Sequence, residues 1–245
     1  MTRSFSVNNG GCCVGQKPKV DAKVTQAEIP GVYDSLSRFY DIWSNMAESK
    51  ARTRAIELAD VSDGQDVMEV AVGTGLAFIE IVKKNPNGIN IGVDISQGML
   101  QKAQKRLGGL TNARYELKIG NAFNLEEENE QFDLIMNSYM FDLISYAEMD
   151  AVIKEFKRVL KPGGKLVLVN MTEGEKFGSR IYSLIYRISP KAFGGCRGVM
   201  LAEKLQEHGF DVKLREYHQQ LLFPSEVILS KNQPLKDAPY NNLRI

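Results

Sequence analysis

The sequence is short of the residues that would tie it to several functional classes. It has three cysteines, Cys12, Cys13 and Cys196, an odd number with two adjacent in a polar stretch. That makes no disulfide framework and points to a reducing, cytoplasmic setting. The two histidines, His208 and His218, lie far along the chain from the cysteine pair, so no zinc spacing exists and no metal site is expected. No apolar run approaches the length of a membrane span. The opening stretch MTRSFSVNNGGCCVGQKPKV lacks the apolar segment of a secretory signal. Excess charge is missing too. Lys plus Arg number 31 against 30 Asp plus Glu, a formal net charge of +1. That balance, with no aromatic-and-basic binding module, argues against a nucleic-acid partner.

What is present is the material of one α/β domain. A chain of 245 residues is long enough to bury a sizeable core. Residues 1–26 read as a polar, flexible tail, 27–232 as a single domain, and 233–245 as a loose C-terminal tail. Within the domain, 27–62 reads as a helical lid. There Leu36, Phe39, Tyr40, Trp43 and Met46 recur at spacings of three and four. From Asp66 onward short apolar runs alternate with amphipathic stretches: DVMEVAV then LAFIEIVKK, INIGVDI then QGMLQKAQKRL, and FDLIMNSYMFDL then EMDAVIKEFKRVL. LKPGGKLVLV reads as a helix end, a turn at Pro162-Gly163-Gly164, and a buried strand. Such alternation predicts βαβ units. The expected fold is α/β, Rossmann-like and doubly wound, with a mostly parallel seven-stranded sheet and helices on both faces. DVKLREYHQQ and SEVILSK read as strands joined by a loop around Pro224, placing an antiparallel strand near one edge.

The functional signal begins at VMEVAVGTGLAF, residues 67–78. In open α/β sheets ligands bind beyond the carboxyl ends of the strands, where strand order reverses. Gly73 and Gly75 lack a Cβ and admit close approach of a ligand. The next strand ends in Asp94, nineteen positions after Gly75, the spacing at which one carboxylate can accept both hydroxyls of a ribose. A dinucleotide fingerprint needs a third glycine three positions after the second, and Phe78 stands there. A nucleotide-dependent oxidoreductase therefore fits less well than an enzyme using a phosphate-free nucleoside cofactor.

With these motifs in order, the chain resembles the class I methyltransferases that use S-adenosylmethionine. Their first motif, acid-x-Gly-x-Gly-x-Gly, lines up with Glu69-Val70-Ala71-Val72-Gly73-Thr74-Gly75. The likeness continues through Asp94, IGNAFNL, FDLIMNSYMF and VLKPGGKLVLV, roughly Tyr33 to Ser230. YDSLSRFYDIW, ahead of the first motif, is similar to the group containing quinone C-methyltransferases and phospholipid N-methyltransferases. The resemblance implies S-adenosylmethionine as cofactor and a small, lipophilic acceptor. It implies that Asp94 holds the ribose, that Ile95 flanks the adenine, and that Asn121 and Ala122 meet its polar edge. Gly73 and Gly75 then line the methionine and ribose portion, Glu69 and Ala71 of the same motif belong to the cofactor site, Asn137 lies near the methionine end, and Tyr40 covers the cofactor. There are two departures. Ala71 replaces a glycine, which is tolerated if the turn angles there are ordinary. Asn121 stands where many relatives carry aspartate. A cofactor-binding protein without turnover remains a competing reading, since fold does not settle function.

For a general base the sequence offers His218, Tyr139 and Asp142, none decisive. Residues 171–200 read as a substrate cap insertion. Phe177, Ile181, Leu184, Ile185 and Ile188 form an apolar stripe, with basic residues nearby. Two readings stay open for 176–191: transient contact with a membrane surface, making the protein peripheral to it, or a helix packed on the sheet. Arg197 reads as a surface arginine, or as a partner for an anionic group.

Overall fold

The structure is a computed structural model, and the residues it describes are 48–172, 197–220 and 223–233. Tyr40 and the rest of the lid's apolar face (Leu36, Phe39, Trp43 and Met46), the three cysteines, the apolar stripe of the cap, the N-terminal tail and residues 234–245 lie outside them. The elements are α1 (Ser49–Ala59), β1 (Asp66–Val70), α2 (Phe78–Lys84), β2 (Ile89–Asp94), α3 (Gln97–Leu107), β3 (Glu116–Ile119), β4 (Phe132–Ser138), α4 (Tyr146–Val159), β5 (Leu160–Met171), α5 (Ala202–Glu207), β6 (Phe210–Gln220) and β7 (Phe223–Asn232). Among the described residues, no helix is long and apolar enough to cross a membrane.

The seven strands form one sheet in the order β3-β2-β1-β4-β5-β7-β6. β3, β2, β1, β4 and β5 pair in parallel, and β7 runs antiparallel to both β5 and β6. The expected architecture is therefore present, with the reversed strand one place in from the edge. Strand order turns round between β1 and β4, which opens a crevice beyond their carboxyl ends.

Side-chain parity explains the layers. Val67, Leu134, Met136, Val167 and Val169 face α1, whose Ala51, Ala55 and Ala59 project toward them at every fourth position. The small side chains let that helix lie close to the sheet. Met68, Val70, Ile135, Leu166 and Leu168 face the other way, against Met149, Val152, Ile153 and Phe156 of α4. α3 starts at Ser96, whose side chain accepts from Met99 N. α4 starts at Ser145, whose backbone N–H and hydroxyl both donate to Glu148.

Two local expectations change. The Pro162-Gly163-Gly164 turn does not precede the strand. It is looped out within β5, which pairs with β4 at Leu160 and again from Lys165. Nor is Pro224 in a loop. It lies inside β7 opposite Gln219, and the strands are parted only by residues 221 and 222. Its carbonyl still accepts from Thr172 N at 3.0 Å, and its missing N–H is tolerated because it is the second residue of the strand.

Candidate active site

Two cavities meet at the crevice. The larger has an empty volume of about 850 Å³, open mouth included, and is bounded by the ends of β1, β2 and β4 and the segments after β3 and β4. Asp94, Ile95 and Ser96 form one wall, Asn121, Ala122 and Phe123 the next, and Met140, Leu143 and Ile144 the apolar side opposite. The smaller lies on the α1 side and is bordered by Glu48, Arg52, Glu69 and Thr74. Ala71, Gly73, Ser138 and Tyr139 border both.

The glycine turn is fixed by its neighbours. Gly73 N donates to Asp94 Oδ2 at 2.8 Å, and Ser96 N to Oδ1 at 2.9 Å. The carboxylate is thus held at the tip of β2 by backbone donors on both sides. Arg106 of α3 donates to the carbonyl and the hydroxyl of Thr74 and clamps the turn from outside. A Cβ built on Gly73 would meet nothing within 4 Å, so this position leaves the cavity open. Gly75 does something else. A Cβ there would lie 3.1 Å from both Ala103 and Leu107 of α3. It borders neither cavity, and its glycine serves helix packing and a φ of 77°.

Ala71 departs from the sequence expectation. Its φ is 56°, in the left-handed region where a Cβ costs about 1–2 kcal/mol. Ala71→Gly should relieve that strain, offset in part by about 0.5–1 kcal/mol of extra unfolded-state entropy. The expected net gain is under about 1 kcal/mol, or a rise in melting temperature of a few degrees. A urea titration of both proteins measures it.

Of the other sequence candidates, Ile95 is exposed at the cavity wall rather than packed in the core. Asn121 Oδ1 accepts from Phe123 N at 3.1 Å, so its oxygen is partly engaged by its own loop. Asn137 is fully buried and borders neither cavity. Its Nδ2 donates to Val70 O at 2.7 Å and ties β4 to β1. The neighbouring Ser138, which the sequence reading passed over, is the one that fronts both cavities. Strand alternation turns the two side chains to opposite faces, so an error of one position exchanges them.

The candidate bases separate in space. His218 Nε2 lies 3.2 Å from Glu216 Oε2, a carboxylate also bound by Arg54 of α1, and borders neither cavity. Tyr139 borders both, with φ 54° and its hydroxyl 2.9 Å from Ser225 Oγ. Burial holds its hydroxyl well above the usual tyrosine range, and the nearby Glu48 adds to the effect. Asp142 is fully buried, and neither of its carboxylate oxygens accepts a well-formed hydrogen bond. Burial pushes its pKa up to about 7; Glu48 raises it further, while Arg197 opposes the shift. Arg197 is not on the surface. It is 2% exposed, donates to Ile144 O, stacks over Tyr146 at 4.4 Å, and its backbone N–H donates to Asp142 O. It braces the segment that carries Leu143 and Ile144.

Glu48 and Arg52 also escaped the sequence reading. They reach the site through the packing of α1, for which no local motif exists. Among the described residues, no group of three or more His, Cys, Asp or Glu is placed to hold a metal ion.

S-adenosylmethionine can be tested against this corner. Glu69 Oε2 and Ser138 Oγ are buried atoms with no hydrogen-bond partner, and both residues border the smaller cavity. Burial holds the Glu69 carboxyl well above its ordinary range, and an arriving ammonium would let it ionise. On the other side, Asp94 offers a carboxylate beside a wall formed by Ile95 and Ala122. An amino-acid end and a nucleoside end, joined across the glycine turn, fit these residues.

Comparison with known proteins agrees. A methyltransferase domain model matches residues 67–164. The demethylmenaquinone methyltransferase of Bacillus cytotoxicus is 28% identical over 175 residues, covering 69% of this chain and 73% of that protein. The crystal structure of the cyclase SpnF superposes with a TM-score of 0.68 at 17% identity, covering 85% of this chain and 96% of that one. A SAM-dependent methyltransferase from Thermotoga maritima gives a TM-score of 0.61 at 19% identity, covering 83% and 99%. At these identities the two structures speak for the fold alone. Residues 67–164 are a methyltransferase domain, and the chain is a class I S-adenosylmethionine-dependent methyltransferase that resembles the quinone methyltransferases.

Proposed function

We propose that this enzyme methylates a small, lipophilic ring acceptor of the quinol type. The observation that carries the reading is the apolar side of the larger cavity, Met140, Leu143 and Ile144, continuous with the corner where the cofactor fits. The name of the Bacillus relatives supports the same class of acceptor. When bound, S-adenosylmethionine supplies a methyl group already activated on a sulfonium.

The chain's own task is placement. Asp94 fixes the ribose, Glu69 and Arg52 receive the charged amino-acid end, and the apolar wall excludes water and orients the ring. Proximity and orientation of this kind can lower a barrier by about 7–11 kcal/mol. The titratable groups bordering the two cavities, among the described residues, are Glu48, Arg52, Glu69, Asp94 and Tyr139. Of these, only Asp94 and Tyr139 border the larger cavity, where the acceptor would lie; Asp94 is committed to backbone donors, and burial keeps Tyr139 protonated. An acceptor that enters already as its phenolate, with a nucleophilic ring carbon, therefore suits the site better than one needing a strong base.

The test is turnover with S-adenosylmethionine and a reduced short-chain naphthoquinol, followed by product mass. A gain of one methyl group on the ring is expected. Cofactor binding with methylation of an aminophospholipid, and none of the quinol, would overturn the acceptor assignment.

A further inference from the structure

The two cavities share four residues, and those four mark where the two ends of the cofactor must join. A nucleoside held by Asp94 and an amino-acid end received at Glu69 place the linking sulfur at the border formed by Ala71, Gly73, Ser138 and Tyr139. Of the four, Tyr139 alone has an aromatic ring. We infer that Tyr139 is the specificity-determining residue that reads the positive charge of the sulfonium, and so separates the methyl-bearing cofactor from its neutral spent form. The inference rests on the cofactor reading above and adds a role for one side chain.

Three features suit Tyr139 to this. It is held, not free. Its backbone N–H donates to Val169 O at 2.7 Å and its hydroxyl pairs with Ser225 Oγ at 2.9 Å, so the ring is anchored at both ends. It is kept there at a conformational cost, because a φ of 54° is unfavourable for an aromatic residue, and strain of this kind collects at ligand sites. It is also 7% exposed, so a cation meeting the ring is largely desolvated, the setting in which cation–π attraction is strongest. Glu69 does not supply the same discrimination, because its place at the amino-acid end of the smaller cavity serves the loaded and spent cofactor alike. Arg52, the cation bordering the smaller cavity, would repel a sulfonium.

The test replaces Tyr139 by phenylalanine and then by phenylalanines of increasing fluorination, which keep the shape while draining the ring of its negative face. Dissociation constants for S-adenosylmethionine and S-adenosylhomocysteine are measured by calorimetry at each step. The constant for S-adenosylmethionine should rise stepwise, about threefold to thirtyfold in all, while that for S-adenosylhomocysteine stays level. Both constants flat, or both rising together, would overturn the inference. Failure of the unaltered protein to bind either compound would instead remove the cofactor reading, and this inference with it.

Discussion

Asp94→Ala should weaken binding of S-adenosylhomocysteine about a hundredfold or more. Gly73 N and Ser96 N hold the two carboxylate oxygens at 2.8 and 2.9 Å, and each oxygen keeps a second lone pair for a ligand hydroxyl. Hydrogen bonds to a charged group contribute about 1.5–3 kcal/mol each. Loss of two such bonds to a ribose therefore amounts to roughly 3–6 kcal/mol, or about two to four powers of ten in affinity. The substitution also leaves two backbone donors of the turn without their acceptor, so the ligand-free protein should lose about 1–3 kcal/mol of stability. Asp94→Asn separates the two effects. Its amide oxygen can still serve one of the backbone donors while its NH2 faces the other, so stability should recover only in part and affinity should remain about tenfold down, the charge being gone. Calorimetry and urea titration of the three proteins give both quantities. Unchanged affinity in the alanine protein would mean that the nucleoside does not lie against Asp94.

The sequence made the layered sheet legible because burial on both faces leaves continuous apolar runs, and because the spacing from Gly75 to Asp94 spans one helix and one strand. It made the glycine turn legible for the same reason. What it could not supply were the contacts that depend on which strands become neighbours. Gly75 looks like a cofactor glycine in one dimension, yet in space its missing Cβ makes room for Ala103 and Leu107. Asn137 and Ser138 differ by one step of strand parity, and only the register of β4 against β1 shows which side chain faces the crevice. The substitution at Ala71 read as tolerable on condition of ordinary turn angles, and its φ of 56° does not meet that condition, because a backbone angle is invisible in the residue name. His218 carries the residue type of a base, but β6 turns it toward Glu216 and Arg54. Arg197 reads as a surface cation, and its burial follows from the path that carries Val199 alongside Met171. Glu48 and Arg52 were unreadable for a plainer reason. A helix that packs across the rim of the sheet announces its inner face by small residues, here Ala51, Ala55 and Ala59, and nothing in that pattern says which polar neighbours will overhang a cavity.

Asp142→Asn should make the protein more stable at pH 8, and should leave stability at pH 4 little changed. The carboxyl of Asp142 is raised from 3.8 to about 7, chiefly by burial, with Glu48 adding and Arg197 opposing. Below pH 4 the group is protonated in both folded and unfolded chains and contributes no pH dependence. Between about pH 4 and 7 the unfolded chain releases the proton that the folded chain keeps, so folding becomes less favourable as pH rises. Above about pH 7 both forms are ionised and the full cost is felt. At about 1.36 kcal/mol per unit the limit is roughly 4 kcal/mol, and local rearrangement around the charge absorbs part of it. An asparagine has the shape of the protonated acid and no proton to lose, so the variant should lack this slope. Urea titrations at pH 5, 6, 7 and 8 compare the two proteins, and the expected pattern is a gap that widens with pH to a few kcal/mol. The opposite pattern, with the variant falling behind at pH 8, would mean that Asp142 and Arg197 act as a stabilising ion pair and that the attraction exceeds the cost of burial. The folded state would then prefer the charged carboxylate, and the brace on Leu143 and Ile144 would be electrostatic rather than held by the bonds Arg197 makes to the backbone.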